Sequence, residues 1–190
     1  MAITAEDAAA VWSQAQRLHP QEAVESALDE MARRISERLS GSDPLVLPVM
    51  IGGVVLAGQL LPRLQFPLRL DYIHATRYRG DTRGGELYWI QQPRGALTGQ
   101  SILLVDDILD EGITLAEIAS TCRQAGAREV LSAVLVEKLH DRGNGFQADF
   151  VGLQVEDRYV FGYGMDYKGY LRNANGIYAV TKDAEQARKK

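Results

Sequence analysis

The sequence predicts an open α/β sheet that is parallel at its centre and flanked by helices. Three apolar runs, at residues 45–50, 102–105 and 130–136, have the length of buried parallel strands. Segments with helical spacing of apolar residues lie between them, which favours strand–helix–strand units. Glycines, carboxylates or a lysine follow these runs, and ligands of such sheets bind at the carboxyl ends of the strands.

Composition limits the class of protein. The chain has 190 residues, of which 46% are apolar and 24% are charged, and its net charge is −4. One domain is expected, and the spread, slightly acidic charge argues against a nucleic-acid partner. Because no apolar run reaches the length of a membrane span and the first residues predict a helix rather than a signal peptide, we expect a cytoplasmic protein without a membrane partner. The single cysteine, Cys122, excludes a disulfide framework and is expected in the core.

Two helices are predicted before the first strand. Thr4 and Asp7 form an N-cap pattern, and the first helix is expected to run to about Leu18. Pro20 suits the first turn of the second helix, and Gly41 ends it. The second helix carries apolar residues at helical spacing: Val24, Leu28, Met31, Ile35 and Leu39.

The middle and the end of the chain supply further elements. A glycine-rich turn, Ile51-Gly52-Gly53, leads into a short helix over residues 54–61. Residues 68–78 and 86–91 are strand-like and are predicted to pair around a loop at residues 79–85, which should be mobile. Three shorter strands are predicted at residues 150–151, 159–161 and 177–180.

The stretch at residues 101–116, SILLVDDILDEGITLA, joins a strand, an acidic turn and the start of a helix. Its apolar run is predicted to stop at Asp106 and Asp107, and a helix over residues 114–124 follows Asp110. Helix-start amides and the positive end of the helix dipole hold phosphate, while carboxylates accept hydrogen bonds from hydroxyls. The stretch therefore predicts a site for a phosphorylated sugar.

An acidic pair after a strand is also typical of response-regulator receiver domains. That interpretation needs a phosphoacceptor aspartate at the end of a later strand and then a lysine, within a domain of roughly 120 residues. Too few residues follow Asp107, and Asp149 begins a predicted strand rather than ending one. The receiver interpretation is therefore excluded.

The motif VDDILDEGITL resembles the phosphoribosyl-diphosphate signature of the type I phosphoribosyltransferases. That signature has apolar residues, two acidic residues, two apolar residues, Asp, a small residue, Gly, any residue and Thr. Residues 149–152, 157–167 and 170–172 (DFVG, DRYVFGYGMDY and YLR) resemble the carboxyl-terminal signature of the hypoxanthine-guanine phosphoribosyltransferases. The spacing is compatible from about residue 45 to residue 180.

The resemblance implies a type I phosphoribosyltransferase fold: a central, mostly parallel sheet flanked by helices, with a small hood formed by terminal segments. It implies a single domain over residues 1–190, with a core at about 41–155 and a hood from about 1–19 and 156–182. It also implies that the subunits associate as a homodimer or a homotetramer.

The implied activity is purine salvage by Mg²⁺-dependent transfer of the 5-phosphoribosyl group from phosphoribosyl diphosphate to N9 of hypoxanthine or guanine, giving IMP or GMP and diphosphate. In this interpretation Asp106 and Asp107 meet the ribose hydroxyls directly or through Mg²⁺, a cation that prefers oxygen ligands. Asp110 is the catalytic residue, which assists proton transfer at N7 of the purine. The whole turn would bind the ribose and its 5′-phosphate: Asp106, Asp107, Asp110, Glu111, Gly112, Ile113 and Thr114.

Other implied positions bind the base, a second Mg²⁺ and the diphosphate. Lys138 would donate to the purine 6-oxo group, which favours hypoxanthine or guanine over adenine. The register is uncertain by one residue, because Glu137 precedes Lys138. Tyr159 would stack on the base, although it suits a core position equally well, and the main chain of Val160 would meet the base edge. Asp166 would hold the second Mg²⁺. The diphosphate would meet Ile51, Gly52, Arg77, Tyr78 and Arg172.

Three positions depart from the family pattern. Ile51 replaces a lysine in the diphosphate loop, Glu111 replaces a small hydroxyl residue in the phosphate turn, and Arg77 stands where a serine usually precedes the tyrosine. We expect the Glu111 side chain to point away from the phosphate, because the two negative charges would repel. We hypothesise that Arg77 or Arg79 supplies the charge missing at Ile51; alternatively, both arginines merely solvate their loop.

Two other functions remain open. One is an enzyme of the same fold that acts on xanthine or another base, and the other is a nucleotide-sensing regulator built on this fold. The acidic balance speaks against a regulator that binds nucleic acid. The three histidines, His19, His74 and His140, lack metal-ligand spacing and are expected to be ordinary surface or strand residues.

Overall fold

The computed structural model describes residues 3–77 and 87–181 of the chain. Its helices are α1 (Ala5–Gln14), α2 (Gln21–Leu39), α3 (Gly53–Leu60) and α4 (Ile113–Gln124), with a 3₁₀ turn at Leu61–Arg63. Its strands are β1 (Gln16–His19), β2 (Leu45–Met50), β3 (Arg69–Leu70), β4 (Ile73–Arg77), β5 (Leu87–Gln91), β6 (Ser101–Leu109), β7 (Glu129–Leu139), β8 (Phe150–Glu156), β9 (Val160–Phe161) and β10 (Ile177–Ala179).

The larger sheet has the strand order β5-β4-β2-β6-β7-β8, and β3 pairs with the beginning of β2. All of its pairs are parallel except that of β4 with β5, which is antiparallel. The predicted parallel centre is therefore confirmed, as is the predicted pairing of the two strand-like segments on either side of residues 78–86. The carboxyl ends of β2, β6 and β7 meet at one edge of the sheet.

Helices cover both faces of this sheet. One buried cluster joins α2 and α3 to the sheet, and a second joins α4 to the opposite face and includes Cys122. The five apolar residues predicted for the inner face of α2 are all buried. A fully buried side chain of this size contributes about 1.5–3 kcal/mol, so the buried face holds α2 in place. Across residues 3–77 and 87–181, no helix combines the length and the apolar character needed to cross a membrane.

A smaller antiparallel sheet, in the order β1-β10-β9, joins the two ends of the chain. Its first strand corrects the prediction that the first helix runs to Leu18, because α1 ends at Gln14 and Leu18 lies in β1. Pairing with β10 gives this segment backbone partners that its local sequence does not reveal. The predicted cap is confirmed, since the Thr4 hydroxyl accepts a hydrogen bond from the Asp7 main-chain N–H at 3.1 Å.

Two strands that lead to the cleft are longer than predicted. The prediction that the strand stops at Asp106 was wrong, because β6 continues to Leu109. Its ladder with β2 ends just before the acidic pair, but its ladder with β7 runs to Leu109. In the same way, pairing with β8 extends β7 to Leu139, so Lys138 lies within the strand rather than after it. Backbone pairing thus continues past Asp106 in β6 and through Glu137 and Lys138 in β7.

Candidate active site

A cleft of about 630 Å³ opens at the carboxyl ends of β2, β6 and β7. Residues 159–172, in and around β9, contribute to its lining. Most of the predicted site residues line this cleft: Gly52, Asp106, Asp107, Asp110, Glu111, Gly112, Ile113, Thr114, Lys138, Tyr159, Val160, Asp166 and Arg172. The fold therefore brings four separate parts of the sequence to one cavity.

Among the predicted positions whose side chains the structure describes, Ile51 lies outside this lining. Ile51 follows a cis peptide bond after Met50, and its side chain is 53% exposed. Arg77 is the last residue of β4, where its backbone pairs with Leu87. Tyr78 and Arg79 lie outside the described residues. The roles assigned to Ile51, Arg77 and Tyr78, and the charge compensation assigned to the arginines, stay predictions.

The turn after β2 packs directly onto β6. A Cβ atom at Gly52 would lie 2.0 Å from Oδ2 of Asp107, and one at Gly53 would lie 2.3 Å from the carbonyl oxygen of Val105. Non-bonded atoms do not approach this closely, so the two glycines allow the backbone of the turn to reach the acidic pair. The main chain of Gly52 thus lies in the cleft beside Asp107.

Two adjacent carboxylates line the cleft where the β2–β6 ladder ends. The main-chain N–H of Asp107 donates to Oδ1 of Asp106 at 3.0 Å. Burial and the neighbouring charge of Asp107 raise the pKa of Asp106 well above its usual value, although Arg172 opposes this. Burial also raises the pKa of Asp107, against the hydrogen bond from Asp106 and the charge of Arg172. A positive ion beside the pair would relieve the cost of ionising both groups.

Arg172 connects the acidic pair to a third carboxylate. Its Nη2 lies 2.7 Å from Oδ1 of Asp166, and its Nη1 lies 3.7 Å from Oδ2 of Asp107. Nη1 also donates to the carbonyl oxygen of Gly164 at 2.5 Å. The side chain of Arg172 is partly exposed to the cleft, so part of its planar fork is open to an anion.

The start of α4 has a geometry that suits an anion. Gly112, at φ +75°, is the N-cap, and the N–H groups in the first turn of any α-helix have no acceptor within the helix. These groups and the helix dipole attract a phosphate. The Glu111 side chain is half exposed, with Oε1 3.9 Å from Nη1 of Arg142, which offsets part of its negative charge. The main chain of this turn is therefore suited to hold a phosphate.

Asp110 is held by two basic side chains. Lys138 Nζ donates to its Oδ2 at 2.7 Å, and Nε2 of His140 lies 2.8 Å from its Oδ1. Burial opposes ionisation, but the hydrogen bond and charge of Lys138 and the contact with His140 outweigh it, so the pKa of Asp110 is lowered. Glu137, the alternative in register, instead accepts a hydrogen bond from Gln154 at 2.7 Å. Lys138 is thus the residue that lines the cleft, and Asp110 is ionised at neutral pH.

An aromatic ring and a strand end line another part of the cleft. The Tyr159 ring packs edge-on against Tyr167, with centroids 5.5 Å apart, and its hydroxyl accepts a hydrogen bond from the Lys168 main chain at 3.4 Å. Val160 is buried in β9, where it pairs with Ala179. A planar ring and an adjacent main chain can hold a flat heterocycle.

Three residues next to Asp110 were not predicted from the sequence: His140, Arg142 and Asp157. The prediction for His140 was wrong, because its side chain is only 6% exposed and contacts Asp110. Arg142 donates to Asp157 at 2.7 Å, and Asp157 lies 3.9 Å from Lys138. His140 stands two residues after Lys138 at a strand end, and this spacing, which places both side chains on one side, was the available signal. Arg142 and Asp157 lie in loops and carried no such signal.

Two groups of side chains could hold a metal ion. Ligand atoms of Asp110, His140 and Asp157 lie within 4.8 Å of one another. Lys138 and Arg142 already bring positive charge to these carboxylates, which disfavours a further cation. Asp106 and Asp107 are the second group, because both offer carboxylate oxygens and a bound cation would offset the burial that raises their pKa values. Asp166 offers a further carboxylate to the cleft, where it pairs with Arg172.

Comparisons with known proteins agree with this fold. Residues 14–168 match the family model of the phosphoribosyl transferase domain. Human hypoxanthine-guanine phosphoribosyltransferase is 29% identical over 164 residues, covering 81% of this chain and 75% of the human one. The structure of a hypoxanthine phosphoribosyltransferase from Staphylococcus aureus has a TM-score of 0.84 at 23% identity, covering 89% of this chain and 92% of that one. A hypoxanthine-guanine phosphoribosyltransferase from Bacillus anthracis has a TM-score of 0.78 at 25% identity, covering 87% and 97%. The predicted type I fold is confirmed, and the chain belongs to the phosphoribosyltransferase family of enzymes.

Proposed function

We propose that the enzyme salvages 6-oxopurines by transferring the 5-phosphoribosyl group from phosphoribosyl diphosphate to N9 of hypoxanthine or guanine, giving IMP or GMP and diphosphate. The observation that carries the proposal is the 2.7 Å ion pair of Lys138 and Asp110 beside the turn that begins α4. It would supply a donor for a 6-oxo group and an acceptor for a proton next to a turn that suits a phosphate. The name of the human relative, hypoxanthine-guanine phosphoribosyltransferase, points to the same bases.

The sugar phosphate would be bound by the start of α4 and the end of β6. Main-chain N–H groups of residues 111–115 would donate to the 5′-phosphate, and Thr114 would add its hydroxyl. Asp106 and Asp107 would accept hydrogen bonds from the 2′ and 3′ hydroxyls of the ribose. Arg142 would reduce the repulsion between Glu111 and the phosphate, because it lies 3.9 Å from that carboxylate.

The base would react as its N7–H tautomer. The lone pair of N9 would form the new bond to C1′ while the bond from C1′ to the diphosphate oxygen breaks, and the diphosphate would leave with that electron pair. Asp110, ionised because its pKa is lowered, would accept the proton from N7. The bond changes and the proton are thereby balanced without any further reactant.

The base would be recognised on two sides. Lys138 would donate to the 6-oxo group, which the amino group of adenine cannot replace as an acceptor. Tyr159 would stack on the ring, and the main chain of Val160 would meet the base edge. These contacts leave xanthine as the alternative substrate, because it carries the same 6-oxo group.

Mg²⁺ is part of the proposal. Asp106 and Asp107 would hold one Mg²⁺ and Asp166 a second, because carboxylate oxygens suit a hard cation. When bound, Mg²⁺ would neutralise charge on the diphosphate. Arg172 would bind the same diphosphate through its guanidinium fork.

The family relationship supports further parts of the proposal. Arg77 and Tyr78 would bind diphosphate, and a hood from about residues 1–19 and 156–182 would cover a core at about 41–155. We also propose a homodimer or homotetramer, and a cytoplasmic location.

A direct assay tests the proposal. The protein is incubated with phosphoribosyl diphosphate, Mg²⁺ and one base at a time (hypoxanthine, guanine, xanthine or adenine), and nucleotide formation is followed. IMP and GMP are the expected products, and a chelator should abolish them. Product from xanthine alone would favour the alternative substrate. The absence of product with every 6-oxopurine would overturn the proposal and favour a nucleotide-sensing regulator.

Replacing Lys138 by methionine should raise KM for hypoxanthine and lower kcat/KM about 10- to 100-fold, because a charge-assisted hydrogen bond of about 1.5–3 kcal/mol is lost. Steady-state kinetics at varied hypoxanthine concentration measure this. Lys168→Met is the matched control, since Lys168 is exposed and outside the cleft lining. Equal losses in both variants would argue against base recognition by Lys138.

A further inference from the structure

His140 lies beside the proposed general base although it has no place in the mechanism above. Its Nε2 is 2.8 Å from Oδ1 of Asp110, while Lys138 occupies the other carboxylate oxygen at 2.7 Å. Only 6% of the His140 side chain is exposed. Asp110 is therefore held at both oxygens, by one amino group and one imidazole.

The contact at Nδ1, the second ring nitrogen of His140, indicates which of the two nitrogens carries the hydrogen. The main-chain N–H of Arg142 donates to Nδ1 of His140 at 3.1 Å. A main-chain N–H is always a donor, so Nδ1 has to be the unprotonated, accepting nitrogen. The hydrogen of the neutral ring then lies on Nε2 and points to Asp110. Protonation of Nδ1 as well would bring its N–H group into repulsive contact with the main-chain N–H of Arg142.

We propose that His140 is a positioning residue that, as its neutral Nε2–H tautomer, keeps Asp110 oriented toward N7 of the purine while Lys138 binds the 6-oxo group. This inference rests on the proposed function. Lys138 has a second task, because it would donate to the base as well as to Asp110. His140 has no such second task, so its hydrogen bond persists through the reaction.

A neutral donor suits this task better than a second cation would. Lys138 lowers the pKa of Asp110, which keeps the carboxylate ionised but makes it a weaker base. As Lys138 turns to the base, that effect decreases and Asp110 becomes more ready to accept a proton. Neutral His140 holds the same carboxylate in place without adding a charge that would oppose the proton transfer.

The loop that fixes the tautomer is itself attached to the phosphate turn. The main-chain N–H of Asn144 donates to the Glu111 carbonyl at 3.1 Å, and Oδ1 of Asn144 accepts from the Phe146 main chain at 3.0 Å. The other charged groups around His140 are Lys138, Arg142, Glu111 and Asp157. The loop therefore ties the position of His140 to the site of the 5′-phosphate.

Two variants of the full chain test the positioning role. His140→Leu removes the donor, whereas His140→Gln offers an uncharged amide N–H that can reach the position of Nε2. We expect His140→Leu to lower kcat about 10- to 100-fold, because Asp110 loses its orientation. The KM for phosphoribosyl diphosphate should stay within about twofold, and His140→Gln should recover most of kcat. Unchanged kcat in His140→Leu, or equal losses in both variants with equal melting temperatures, would overturn the proposal.

A spectroscopic measurement separates this inference from the proposed function. In wild-type protein with ¹⁵N-labelled histidine, the signal of His140 is identified among those of the three histidines by its loss in His140→Gln. At neutral pH we expect an unprotonated Nδ1 and a protonated Nε2. A protonated Nδ1 would overturn the inference whether or not the enzyme turns over. Wild-type protein that forms no nucleotide while showing the expected tautomer would count against the proposed function and remove the catalytic purpose assigned to His140.

Discussion

Replacing Asp110 by asparagine should lower kcat about 10²- to 10⁴-fold, the range expected when a general base is removed. The pKa of Asp110 is lowered chiefly because the hydrogen bond and charge of Lys138 outweigh the effect of burial. The wild-type carboxylate is therefore ionised and able to accept a proton at neutral pH. Asparagine has nearly the same shape and can still accept a hydrogen bond, but it cannot take up the proton from N7 of the base.

The comparison of kcat with KM decides whether Asp110 acts as a base. Steady-state kinetics should show a large fall in kcat and a much smaller change in KM for phosphoribosyl diphosphate. Asp141→Asn is the matched control, because Asp141 is an exposed aspartate outside the cleft lining, in the loop after β7. A variant that keeps its kcat but loses affinity for phosphoribosyl diphosphate would remove the proton-transfer role and leave Asp110 as a substrate-binding residue.

The order of elements could be predicted because strand and helix patterns here are local. β2 has the predicted bounds, and the predicted inner face of α2 is buried. The ends of β6 and β7 could not be predicted from apolar runs, because their last residues are held by backbone pairing with neighbouring strands. β1 pairs with β10 at the other end of the chain, so no local pattern identifies its strand.

The residues of the candidate site could be predicted where they belong to short contiguous sequence motifs. The acidic turn of β6 and the segment from Tyr159 to Arg172 resemble family signatures and line one cleft. His140 carried a weaker signal: its spacing of two residues from Lys138 indicates a shared side of the strand, but not its contacts with Asp110 and the main chain of Arg142. Such contacts are set by the path of a loop rather than by a sequence pattern.

Replacing Gly164 by alanine should destabilise the enzyme and distort the side of the cleft that is proposed to bind the diphosphate. Gly164 has φ +109°, and a Cβ atom there would lie 2.4 Å from the carbonyl oxygen of Gly52 and 3.0 Å from Cβ of Asp107. The carbonyl oxygen of Gly164 also accepts a hydrogen bond from Arg172. The added methyl group would therefore push the turn after β2 away from the segment that carries Arg172.

Gly169→Ala is the control variant that distinguishes the effect of steric overlap at Gly164 from that of backbone strain. Gly169 also has a positive φ, +90°, but no atom lies within 4 Å of a Cβ placed there. Both variants should lose about 1–2 kcal/mol because alanine disfavours a left-handed backbone, and Gly164→Ala should lose roughly 2 kcal/mol more through overlap with Gly52. For a chain of this size that excess corresponds to a melting temperature lower by about 4–8 °C.

Gly164→Ala should also raise KM for phosphoribosyl diphosphate, because the overlap lies between Gly52, Asp107 and Arg172. Equal melting temperatures and equal KM values in the two variants would show that the contact between the two glycine turns does not shape the site.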